Sequence, residues 1–137
     1  MKTELFWLLL TAILAASLWI PFIVGANIQP KIAGSNDSFV VPPDPLTMTP
    51  WIARSYRAHQ NLIEQFLPFA LIVLIGHVQG FSNSITQSCV VIFFWLRVAH
   101  AVGMITAWAR FPIRPIIFTA AWIVILVYAW QLIAHAG

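Results

Sequence analysis

Three groups of residues in this sequence have types and spacings capable of chemistry. Arg54, Arg57, Asn61 and Glu64 follow one another at intervals of 3, 4 and 3 residues, which on a helix lines them up along one face. Arg97, His100 and Met104 repeat the pattern at intervals of 3 and 4. Arg114 ends the run ARFPIR, and Pro112 within that run is suited to opening a helix with Arg114 in its first turn. A guanidinium and an amide converging as Arg57 and Asn61 would do can grip a carboxylate. Arg114 would add its charge to the free N–H groups and positive dipole at a helix start, a setting that favours an anion and eases ionisation of a thiol held there. Position alone also suits Arg114 as a snorkelling anchor. Glu64 and Arg97 are natural charge partners, and such a pair serves equally well to fix helix register.

These residues sit in an unusual medium. Of 137 residues, 61% are hydrophobic and 8% charged, with a mean hydropathy of +0.87, whereas a soluble domain carries roughly 25% charged residues. The composition excludes a soluble globular protein and also disorder, which needs low hydrophobicity. The length suits one domain, residues 1–137. Four apolar segments are each long enough to cross a hydrocarbon layer of about 30 Å: about 5–24, 50–79, 84–108 and 112–134, with a polar loop at 25–49. The fold class expected is therefore all-α, an integral membrane four-helix bundle. Pro21 should kink the last turn of the first span or mark its end. Thr49 is placed to cap the second span and Pro50 to occupy its first position. The second span is polar in its first half and apolar in its second, so it must protrude from the bilayer or sink polar residues into a protein interior.

An ionisable group at bilayer depth costs at least about 2.5–3.5 kcal/mol, so each one needs a partner or a function. Neither polar stripe can face lipid; the economical packing turns the two toward each other or toward another subunit. His59 points away from its stripe and reads as interfacial, and His77 and His135, near span ends, read as anchors. His59 and His100 are the pair through which a heme could be held, but His59 lies off the polar face, and no metal-ligand spacing occurs. Cys89, the single cysteine, lies in the apolar run SCVVIFFW and reads as a small hydrophobe. The net charge of +3 contains no basic run that could track phosphates, which argues against nucleic acid. Lys31, Arg54, Arg57, Arg97, Arg110 and Arg114 fall on the loop side and only Lys2 on the other, so the loops are expected in the cytoplasm and both termini in the periplasm.

The run RSYRAHQNLIEQFLPF at 54–69, then RVAH at 97–100 and RFPIR at 110–114, resembles the MAPEG family, membrane-associated proteins in eicosanoid and glutathione metabolism. The resemblance spans about residues 49–119 and implies a homotrimer of four-helix subunits binding glutathione between neighbours near the cytoplasmic face. By motif, Arg57, Asn61, Glu64, His100 and Arg114 match glutathione-contacting positions, Arg97 matches a motif arginine, and Arg114 matches the arginine proposed to stabilise the thiolate. Gln60, Met104, Pro115 and Phe118 depart from the prostaglandin E synthase pattern, each removing a charge or donor, and a lost charged hydrogen bond typically costs about 1.5–3 kcal/mol. The implied function is a glutathione-dependent transferase or peroxidase acting on lipophilic electrophiles, with glutathione as co-substrate. The family also contains a lipid-binding scaffold without catalysis, which is the alternative. Short termini and the lack of an organelle signal point to a bacterial inner membrane.

Overall fold

The computed structural model describes residues 1–28 and 44–136. Lys31 and most of the expected 25–49 loop lie outside the described residues. Helices α1 (Thr3–Ser17) and α2 (Ile20–Ile28) are followed by a short 3-10 turn at Pro45–Thr47, and then by α3 (Pro50–Val78), α4 (Ser84–Ile105) and α5 (Ile113–Ala136). Four stretches are long and apolar enough to cross a membrane: Thr3–Ile28, Pro50–Val78, Ser84–Ile105 and Ile113–His135. The all-α, four-span fold class is the one expected.

The first span is broken in the middle rather than at its end. Proline lacks an N–H and its ring crowds the carbonyl four residues earlier. For Pro21 that carbonyl belongs to Ser17, the residue at which α1 stops. Leu18 N–H still closes onto Leu14 O at 2.9 Å, and helical bonding resumes with Ile23 N–H on Trp19 O at 3.1 Å. α3, by contrast, runs unbroken through Pro68. Its 29 residues extend about 43 Å, well beyond a hydrocarbon layer of about 30 Å. The residues it buries are Ile52, Ser55, Ala58, Leu62, Gln65, Phe69, Val73 and Gly76, spaced three or four apart.

Two apolar clusters hold the bundle together. One is built on Phe69, Val73, Val90, Phe93, Ala121 and Tyr128, with the Phe69 and Phe93 rings stacked at 3.9 Å. The other joins Ala15, Leu18, Ala58, Leu62, Ala101 and Met104. At the α3–α4 turn, Asn83 Oδ1 accepts from Thr86 N–H at 2.8 Å and Thr86 Oγ1 accepts from Asn83 N–H at 3.0 Å, a reciprocal cap that fixes the start of α4. Glu4, 5% exposed, accepts at Oε1 from Ser82 Oγ at 2.6 Å and from Thr86 Oγ1 at 3.0 Å. A carboxylate is thereby set beside the positive end of α4, and α1 is tied to the turn. Asn83 Nδ2 also donates to Gln131 Oε1 at 3.0 Å, which draws in α5.

At the opposite end α4 stops at Ile105, short of the expected 108. The chain folds back: Ala107 N–H reaches Met104 O at 3.3 Å and Ala109 N–H reaches Gly103 O at 3.1 Å. Ala107 adopts φ 64° to make this reversal. Gly103 permits it, because a Cβ there would lie 2.5 Å from Ala109 Cβ. Arg54 Nε donates to Ile105 O at 3.2 Å, covering a carbonyl that the end of α4 leaves open.

Candidate functional site

The stripe on α3 is divided by its own helix. The buried face of α3 passes through Ser55, Ala58, Leu62 and Gln65, so Arg57 and Glu64 point outward and are exposed, while Arg54 and Asn61 flank that face and are half-buried. Arg54 is spent on the end of α4. Asn61 turns toward α4, with Nδ2 3.5 Å from Met104 Sδ. The α3 and α4 stripes therefore meet at Asn61 and Met104 but not along their whole length.

The α4 stripe faces inward. Arg97 is 0% exposed and His100 1%. Glu64 is the charge partner expected for Arg97, but the hydrogen bond from Arg97 Nη1 goes to Oε1 of the next residue, Gln65, at 2.9 Å. One step along α3 is a rotation of about 100°, which carries Glu64 off the buried face and brings Gln65 onto it. Glu64 still lies near enough for its charge to be felt at Arg97. Gln65, 5% exposed, also donates from Nε2 to Phe118 O at 3.1 Å. The Arg97 guanidinium sits 5.9 Å from the centre of the Phe118 ring, and the His100 ring lies 5.9 Å from it as well. Sequence reasoning missed Gln65. The signal was available, because it is the one strongly polar residue in the Ile52, Ser55, Ala58, Leu62, Phe69, Val73 series.

Arg114 is half-buried in the first turn of α5, where its N–H bonds Arg110 O at 3.1 Å. His100 lies within reach of the charges of both Arg97 and Arg114. The structure thus brings Arg97, His100 and Arg114 to one end of the bundle, with Asn61 on the adjoining helix and Arg57 and Glu64 on the outer surface. Arg97 Nε and Nη2 and both ring nitrogens of His100 are buried without a hydrogen-bond partner. Unmet donors on a buried guanidinium carry a large desolvation cost, so this end of the bundle is suited to receiving a polar or anionic group.

The remaining sequence candidates lie elsewhere. His59 is half-buried, with Nδ1 unpartnered, and His77 and His135 are exposed. Cys89 is a free, buried thiol. Among the described residues no group of three or more His, Cys, Asp or Glu is placed to hold a metal. Among the described residues an α4–α5 groove of about 380 Å³ beside Ser88 and Ile92 falls away from the site.

Compared with known proteins, residues 5–134 match a sequence model of the MAPEG family. No curated protein matches the chain at a significant level.

Proposed function

The chain belongs to the MAPEG family, and from that premise we propose that it is a glutathione-dependent transferase or peroxidase acting on lipophilic electrophiles. The observation that carries the reading is the packing of buried Arg97 and His100 around Phe118, one turn past Arg114 in α5, with buried donors on the first two left unmet. In this proposal Arg57 and Asn61 hold a carboxylate of the tripeptide and Glu64 holds its ammonium group. Arg97 and His100 line the site, and Arg114 with the start of α5 stabilises the thiolate.

In the transferase reaction the ionised sulfur attacks an electrophilic carbon. A C–S bond forms, the leaving group departs with its electron pair, and the thiol proton goes to water. In the peroxidase reaction the thiolate attacks a peroxide oxygen and the O–O bond breaks. The resulting alkoxide takes up a proton, and a second glutathione resolves the sulfenic acid to a disulfide with loss of water. Arg57 and Glu64 are exposed on a membrane-spanning helix, so the proposal includes a homotrimer in which a neighbouring copy covers them and completes the site. It also places the Arg-rich end at the cytoplasmic face of a bacterial inner membrane and the termini in the periplasm.

Two observations favour a second reading, a non-catalytic lipid-binding or scaffolding protein. The amide of Asn61 is engaged with the Met104 thioether, and Phe118 offers Arg97 a ring face in place of a hydroxyl. Titration of glutathione into the solubilised protein, followed by thiolate absorbance, separates the two. The transferase reading expects a saturable signal that Arg114→Ala abolishes with assembly intact, together with loss of turnover of a lipophilic electrophile. No binding into the millimolar range would overturn that reading.

A further inference from the structure

We propose that Gln65 is a positioning residue that fixes Arg97 without neutralising it, so that the bundle keeps a positive field for an anionic ligand. The inference rests on the proposed function for the identity of that anion and goes beyond it in assigning Gln65.

Gln65 occupies the point where three helices meet. From α3 it accepts from Arg97 Nη1 on α4 at 2.9 Å and donates to the Phe118 carbonyl on α5 at 3.1 Å. The two contacts agree on the orientation of the amide, since turning it over would set its NH2 against a guanidinium and its oxygen against a carbonyl. An amide satisfies both neighbours at once. An ionised carboxylate would serve Arg97 but repel the Phe118 oxygen, and an apolar side chain would serve neither. The residue is 5% exposed, so its polarity answers to the protein interior rather than to solvent.

The neutrality of the amide has a consequence for charge. A buried arginine is most simply stabilised by a carboxylate that cancels it, yet the group bonded to Arg97 carries no charge. Glu64, whose charge reaches Arg97 through space, is turned to the outer surface and exposed. Among the described residues of this end, Arg54, Arg57, Arg97, Arg110 and Arg114 outnumber the carboxylates Asp44 and Glu64. The two unmet donors of Arg97, Nε and Nη2, remain for other partners. In a medium of low dielectric such a charge attracts an anion over several ångströms, so cancelling it would weaken anion binding by about tenfold or more.

The test compares reduced glutathione binding by the wild-type protein with Gln65→Glu and Gln65→Met, using equilibrium dialysis on detergent-solubilised samples and reading thermal unfolding without ligand in parallel. A purely structural anchor would rank Gln65→Glu above Gln65→Met, because the carboxylate still holds Arg97 and the thioether does not. An uncancelled positive charge ranks them the other way. Wild type binds best, Gln65→Met is weakened but measurable, and Gln65→Glu falls by about tenfold or more, while its unfolding midpoint is no lower than that of Gln65→Met. Gln65→Glu binding like wild type, or better than Gln65→Met, overturns the proposal. If Gln65→Glu does not fold, Gln65→Met decides alone: weakened but measurable binding supports the proposal, and either wild-type binding or complete loss with the fold intact contradicts it. Failure of the wild type to bind would sink the functional reading itself, whereas wild-type binding with the variant order reversed sinks only the role of Gln65.

Discussion

Ala107 holds a left-handed backbone conformation, φ 64°, that lets the chain turn back along the end of α4. An L-residue there costs about 1–2 kcal/mol through its Cβ, and glycine removes that cost while adding freedom to the unfolded chain. Ala107→Gly should therefore raise stability by about 0.5–1 kcal/mol net, seen as a higher thermal unfolding midpoint in detergent. A lowered midpoint would show that the methyl group contributes packing that outweighs the strain. At the scale of single residues the spacing left direction open. The 3-4-3 spacing does put Arg57, Asn61 and Glu64 on adjoining positions of one helix, but spacing alone does not say which side of that helix is inward. The inward side is set by Ile52, Ser55, Ala58 and Leu62, which are apolar or small and pack against α4 and its neighbours. That choice turned Glu64 outward and gave Arg97 to Gln65, whose neutral amide draws no notice in a search for charges.

The helices were legible because a run of about twenty apolar residues admits few other structures in a membrane, where every backbone group must be satisfied within the span. Their ends were less so. Pro21 acts one turn ahead of itself and breaks the first span at Ser17 rather than near its end. α4 stops at Ile105 because Gly103 gives the returning chain room against the helix, a packing fact that composition does not reveal. Glu4, near the start of the chain, ties α1 to the α3–α4 turn through Ser82 and Thr86. Hydrogen bonds to a charged group contribute about 1.5–3 kcal/mol each when well formed. Glu4→Ala should lower stability by about 2 kcal/mol or more with helix content unchanged. Glu4→Gln keeps an acceptor for the two hydroxyls, and should lose less. Thermal unfolding followed by circular dichroism checks both variants, and an unchanged midpoint for Glu4→Ala would show that the tie contributes nothing.

For the molecule as a whole, four spans and the family were both within reach of the sequence, since the motifs at 54–69, 97–100 and 110–114 fall within the 5–134 match. The candidate site was legible only in part, because its residues do not all face one another within the described chain. Arg97 and His100 point into the bundle, Arg57 and Glu64 point out of it, and Arg114 stands between at the head of α5. Exposed charges on a spanning helix cannot rest against lipid at a cost of several kcal/mol each, so in the proposed account a second copy of the chain covers them and glutathione lies where the two surfaces meet. Native mass spectrometry of the detergent-solubilised protein in the presence of glutathione tests this most directly. The expected species is a complex of about three times the 15.4 kDa chain mass carrying bound glutathione, with the ligand lost in Arg114→Ala while the complex persists. A single chain, or an assembly that never carries glutathione, would contradict it.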